Sequence, residues 1–244
     1  MARRKPLLPV CPVLLYHKID LPGPQSLIRG SFTPPRRFKR QMTYLKRKGF
    51  TFLTAADLVE HYLAHGEFPA RTVAVTFDDG WRDNYLNAFP VLLELGIRAT
   101  VFLVAGEVGK VSFRAVTKGE PARAYLTREQ ILEMDRHGIE FGSHTQSHQL
   151  LDRIPEPEAR REVTQAKQCI EDMLGKRCRT FAYPAGFFTP AVQGFVREAG
   201  HIGAFSTVYG PDDELDLMAL NRIEILRKHR LGFQLKRRIR RLLR

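Results

Sequence analysis

Thr72-Val-Ala-Val-Thr-Phe-Asp-Asp-Gly80 is an apolar, β-branched run that ends without transition in two adjacent carboxylates and a glycine. The run reads as a buried strand. Two carboxylates at the end of such a strand repel each other and resist desolvation. A folded chain keeps them there only with a compensating cation, proton or set of strong donors. A metal ion is the simplest compensation. Further ligands stand in Ser143-His144-Thr145-Gln146-Ser147-His148, where two imidazoles lie four residues apart directly after another apolar run, residues 139–142. One Asp and two His make a three-ligand set with an open position for water, as catalytic zinc requires.

Outward from this strand the chain alternates. Strand-like runs at residues 10–16, 50–53, 97–104, 139–142, 179–183 and 202–206 are separated by helical stretches. The helices are read after Thr33, from Thr54 to about His65, and over residues 83–95, 127–138, 158–174 and 189–199. Thr33 ahead of Pro34-Pro35, Thr54 with Asp57, and Thr127 with Gln130 are start signals, and Gly49, Gly96, Gly138, Gly175 and Gly200 are stops. Repeated strand-helix units specify a parallel sheet with crossover helices. His17, Asp78-Asp79, His144 and Tyr183-Pro184 all fall just past the C-terminal ends of strands, where a parallel barrel gathers its active-site loops. The alternation by itself fits either a barrel or an open doubly wound sheet.

Thr76-Phe-Asp-Asp-Gly80, the His144-x-x-x-His148 pair with Ser143 and Thr145, and Phe181-Ala-Tyr-Pro-Ala-Gly186, in this order and spacing, resemble the signature motifs of the polysaccharide deacetylases. These are the NodB-homology family of metal-dependent amide hydrolases, and the resemblance covers roughly residues 9–227. It implies a single-domain α/β fold, a distorted (β/α)7 barrel, flanked by a basic segment at residues 1–8 and a basic amphipathic tail at residues 228–244. It implies removal of N-acetyl groups from an amino-sugar glycan or sugar conjugate. Asp79, His144 and His148 would hold a divalent ion, zinc first, and Asp78 would be the base. Tyr16-His17 at the end of the first strand resembles the arrangement in the poly-N-acetylglucosamine deacetylases, and makes His17 the expected proton donor. His229, in Leu226-Arg-Lys-His229, is the runner-up. Many relatives carry an Arg in the third motif where this chain has Ala182, so another group must orient Asp78, and Arg222 is the candidate by charge and location. The Ala185 backbone N–H is the expected oxyanion donor, with Tyr183, Pro184 and Trp81 around the acetyl and sugar pocket.

Plainer readings stand beside these: Asp78-Asp79 as a turn and helix cap, and His17 as a core histidine. Hydrolysis of another amide, such as a formyl group on a lipid-linked sugar, uses the same site. A non-catalytic binder of acidic glycan or nucleic acid is the alternative of another class, with nucleic acid the less expected partner.

The chain has 244 residues, 43% of them hydrophobic, which suits one sizeable domain. Its net charge of +13 gathers partly in Arg3-Arg4-Lys5 and beyond Arg227, and favours anionic partners. In the tail, Leu231, Leu235, Ile239, Leu242 and Leu243 alternate with arginines and lysines at helical spacing. Such a helix can lie on an anionic membrane surface or pack on the barrel. Cys11, Cys169 and Cys178 have neither disulfide nor metal spacing and are expected to be buried thiols. Prolines interrupt the apolar start and no cleavage site follows, so a cytoplasmic location is expected, with peripheral membrane attachment through the tail.

Overall fold

The structure is a computed structural model that describes residues 13–112, 120–207 and 215–226. The two terminal segments, and with them Cys11, His229 and the basic tail, lie outside the described residues. Among the described residues there are eight strands: β1 (Val13–Tyr16), β2 (Thr51–Leu53), β3 (Thr72–Phe77), β4 (Thr100–Leu103), β5 (Glu140–Ser143), β6 (Thr180–Ala182), β7 (Gly203–Phe205) and β8 (Ile223–Glu224). The helices are α1 (Pro35–Arg47), α2 (Ala55–His65), a π-helical turn (Asn84–Ala88) running into α3 (Phe89–Leu95), α4 (Arg128–Arg136), α5 (Glu156–Leu174) and α6 (Pro190–Glu198).

All pairings between these strands are parallel, in the order β7-β6-β5-β4-β3-β1-β8, with β2 added on β3. Both faces of the central strands are covered, so β1 and β3 are buried along their whole length and read as unbroken apolar runs. The sheet curls until its ends meet. A parallel bridge joins Phe205, the last residue of β7, to Leu220, and three residues later the same segment pairs with β1 as β8. This extended piece is the last stave of the distorted barrel that the family resemblance implies.

Inside the barrel pack Val13, Ala74, Phe102, Ala182, Phe205 and Leu220, together with Ala55, Leu58 and Val59 of α2. Helix α2 covers the lower mouth. The Ala55 N–H donates to Thr100 Oγ1, and the Ala56 N–H donates to Glu140 Oε2, at the starts of β4 and β5. A larger apolar layer, including Tyr16, Phe38, Met42, Phe77 and Ile131, fills the space between the sheet and the outer helices. The lower end is therefore closed, and chemistry is left to the opposite rim, where the strands end.

Local signals hold at Thr54, which accepts from the Asp57 N–H, and at Thr127 with Gln130, which form a complete capping box. Thr33 does not cap α1: its N–H bonds the Lys18 carbonyl, and Pro34 precedes the helix without a side-chain cap. Cys178 is buried, but Cys169 is exposed. It lies next to Ile170 on α5, outside the stripe formed by Ala159, Val163, Ala166 and Ile170.

Candidate metal centre and active site

The register of the sheet brings the polar residues together. Tyr16 pairs with Phe77, and the Asp78 N–H continues the ladder to the Tyr16 carbonyl at 3.0 Å, so His17 and Asp78 leave neighbouring strands side by side. Leu103 pairs with Ser143, and the His144 N–H donates to the Leu103 carbonyl at 2.8 Å. On the other flank His144 Nδ1 donates to the Ala182 carbonyl at 2.7 Å. A carbonyl can only accept, so this bond places the ring proton on Nδ1 and leaves the Nε2 lone pair directed inward.

That lone pair meets an acceptor. His144 Nε2 lies 3.6 Å from Asp79 Oδ1, and His148 Nε2 lies 3.3 Å from the same oxygen. The ligand atoms of Asp79, His144 and His148 all fall within 4.8 Å of one another, the one such group of three among the described residues. Burial pushes the His144 ring down to about 4, against the pull of Asp78, so it is neutral near pH 7. A neutral imidazole nitrogen facing a carboxylate oxygen, both lone-pair donors, is resolved by a cation between them, and two nitrogens with one oxygen suit a divalent transition metal. The residues therefore fit the metal that the motif pattern implies.

The backbone around these ligands is unusual. Five non-glycine residues have positive φ among the described residues, and four of them, Asp79, Thr145, His148 and Ala185, belong to the three motifs. Such conformations cost about 1–3 kcal/mol each and persist where surrounding contacts over-determine them. The contacts are present. The His148 N–H donates to Thr145 Oγ1 at 2.9 Å, and the Ser147 N–H and Oγ donate to the two carboxylate oxygens of Glu162 on α5 at 2.8 and 2.6 Å. The Gln146 N–H bonds the Glu162 carbonyl, and Ala105 and Gly106 donate to the carbonyls of Thr145 and Gln146. At the carboxylate turn Asp79 is followed by Gly80 at φ +75°, where an added Cβ would stand 2.8 Å from the Leu103 side chain. Glycine meets the dihedral without strain and leaves the end of the Leu103 side chain where it is.

Arg222, delivered by the last stave, lies against Asp78. Its Nη1 and Nη2 donate to Asp78 Oδ1 and Oδ2, both at 2.7 Å, while Nε donates to the Ser206 carbonyl at 3.1 Å. Both side chains are fully buried, at 0% and 2% exposure. Burial pushes Asp78 up, but the Arg222 guanidinium, helped by His144 and His17, outweighs it and holds the carboxyl below its ordinary range. Asp79 is likewise pushed up by burial and drawn well below its range by His148. Both carboxylates are therefore ionised at neutral pH, and His17 lies close enough to act on both of them.

Two expected pocket residues have other contacts. Tyr183 is wholly buried among Phe181, Phe188 and Val192, and its hydroxyl donates to the Met218 carbonyl at 2.9 Å. Its side chain is core and does not wall an open pocket, because residues at the end of β6 alternate inward and it faces α6. Trp81 is 7% exposed, stacks on Tyr125 with ring centres 4.5 Å apart, and donates its indole N–H to Asp79 Oδ2 at 2.6 Å. It braces the ligand carboxylate and turns the other oxygen toward the histidines. Pro184 is buried beside Ala185, whose carbonyl accepts from Thr207 Oγ1 at 2.7 Å. The sequence reading missed Glu162, and also Asp83 and Asn84. Their signal is a polar residue on the inward face of an otherwise apolar helix stripe.

Comparison with known proteins agrees with this geometry. Residues 65–203 match the polysaccharide deacetylase family. The putative polysaccharide deacetylase YxkH of Bacillus subtilis is 27% identical over 88% of this chain and 71% of its own length. The poly-beta-1,6-N-acetyl-D-glucosamine N-deacetylase of Staphylococcus epidermidis is 29% identical over 71% of this chain, which spans only 64% of that relative. Among solved structures, the Streptococcus pyogenes deacetylase PplD in complex with acetate superposes with a TM-score of 0.79 at 27% identity, covering 93% of this chain and 98% of that one. The chain belongs to the polysaccharide deacetylase family, carbohydrate de-N-acetylases that hydrolyse carbon–nitrogen bonds.

Proposed function

We propose that this protein removes acetyl groups from an N-acetylglucosamine polymer or a conjugate carrying that sugar. The observation that carries the reading is the convergence of Asp79, His144 and His148 beside a second carboxylate, Asp78, held ionised by Arg222. Asp79, His144 and His148 would hold a divalent ion, zinc by the donor set, which would supply Lewis acidity to acidify water and polarise the amide carbonyl. Asp78 accepts a proton from the attacking water, and Arg222 keeps its two oxygens oriented for that task. The Ala185 N–H is the donor for the developing oxyanion in this reading. As the carbon–nitrogen bond breaks, His17 gives its proton to the departing amine, so that water and the acetamide become acetate and a free amino sugar.

Acetate release from N-acetylglucosamine oligomers by the zinc-loaded protein tests this. Asp78→Asn should lower the rate by about 10²-fold or more, within the range that general base catalysis contributes, while bound zinc per chain is retained. A protein that binds zinc stoichiometrically but releases acetate from none of these oligomers, or an undiminished rate in Asp78→Asn, would reject it. Release of formate from the formylated counterpart in place of acetate would reassign the acyl group.

A further inference from the structure

The main chain that carries His17 is held by the backbone of Ser31 and Thr33 at Lys18, and by side chains of residues 83–87 on either side of it. Where β1 ends, Asn84 Nδ2 donates to the His17 carbonyl at 2.9 Å. The Ile19 N–H donates to Asp83 Oδ1 at 2.7 Å, and Asn87 Nδ2 donates to the Ile19 carbonyl at 2.8 Å. Asn84 Nδ2 also reaches Asp83 Oδ1 at 3.1 Å. Arg123 closes the cluster, 3.3 Å from Asp83 Oδ2 and 3.0 Å from Asp20 Oδ2. Asp83 and Asn84 are buried, at 7% and 1% exposure, on a face that would otherwise hold apolar side chains. Burying such groups is costly unless each finds a partner. The partners of Asn84 Nδ2 and Asp83 Oδ1 here are the peptide groups on either side of Lys18, while Asn84 Oδ1 has none among the described residues.

All three side chains come from residues 83–87, beginning four residues after the ligand Asp79. The segment is not ordinary helix: Asn84–Ala88 is a π-helical turn, a widened form that recurs at functional sites. The same short stretch thus leaves the carboxylate turn and immediately grips the strand end bearing His17.

We propose that Asp83, Asn84 and Asn87 are positioning residues for the His17 imidazole. By fixing the main chain at residues 17 and 19, they set its height over the carboxylate pair and join it to the Asp78-Asp79 turn as one rigid unit. The inference rests on the proposed role of His17 as proton donor. A displacement of 1 Å in such a group costs about 10²-fold in rate.

The test compares two substrates of the metal-loaded protein. An N-acetylglucosamine oligomer needs its amine protonated on departure, whereas the phenolate of an aryl acetate ester leaves without a proton. Asn84→Asp removes the donor to the His17 carbonyl without changing shape, and Asn87→Asp does the same to Ile19 from a less buried place. Each should lower kcat on the oligomer, by about 10- to 100-fold for Asn84→Asp and less for Asn87→Asp, with ester hydrolysis and bound metal near their original values. Equal losses on both substrates, or no loss on either, in both variants would overturn the clamp. His17→Ala separates the two levels. An equal loss on amide and ester there overturns the proton-donor reading and the clamp with it. An amide-selective loss in His17→Ala, beside indifferent Asn84→Asp and Asn87→Asp, overturns the clamp alone.

Discussion

Asp78 is pulled in opposite directions by burial and by the guanidinium of Arg222, and the guanidinium wins. Removing one partner of a buried pair leaves the other charge uncompensated, so Arg222→Ala should cost about 3–5 kcal/mol in urea-induced unfolding. The carboxyl freed from its cation then takes up a proton at higher pH, and turnover should fall with the stability. Arg222→Lys tests geometry apart from charge: an ammonium cannot form both bonds at once, so turnover should drop by about tenfold or more with a smaller loss of stability. Trp81→Phe keeps an aromatic face for Tyr125 but deletes the N–H held by Asp79 Oδ2. Metal affinity, measured against a competing chelator, should weaken by about 10- to 100-fold. At this scale the convergence of Asp79, His144 and His148 was legible because their residue types are costly at the ends of buried strands. Tyr183 was not, since an aromatic after a strand end can face either way and only the packing of α6 decides.

Among the elements, strands were the most readable, because a parallel sheet covered on both faces leaves continuous apolar runs. Their ends were read too long for the same reason. Ile97 and Ile139 are buried at 4% and 2% exposure yet stand outside the paired residues of β4 and β5, and hydropathy registers burial without hydrogen bonding. The segment 83–95 reads as one helix, whereas the polar face of residues 83–87 opens its first turn into π geometry. The last stave was invisible as a strand: two paired residues carry no periodicity. Helix α5 offers a test of how far an element can control a loop. Glu162→Gln keeps one acceptor of the Ser147 pair and removes the charge, so the strained His148 turn loses part of its restraint. Metal affinity should fall about tenfold, with the unfolding midpoint of the chelator-treated protein nearly unchanged.

Over the whole molecule, charge and burial also set a response to acid. His201 lies 3% exposed against Phe181, and burial, with the charge of Lys167 adding to it, depresses its ring to about 3. The unfolded chain binds this proton near pH 6.5 and the folded chain does not, so stability is full above about 6.5 and declines as pH falls, by up to about 1.4 kcal/mol per pH unit. In His201→Phe the decline between about pH 6.5 and 5 should be shallower by that amount, read from urea unfolding at each pH. No pattern in the sequence marks His201 as buried; a histidine following a helix-ending glycine is as often solvated. The barrel seam has a further consequence. The three side chains suited to a metal are all present by residue 148, but the cation that pairs with Asp78 comes only with residue 222. A chain shortened ahead of Arg222 would keep the three residues suited to an ion but lose both the guanidinium and the strand that pairs with β1, so competence for turnover hangs on the last stretch of the described chain.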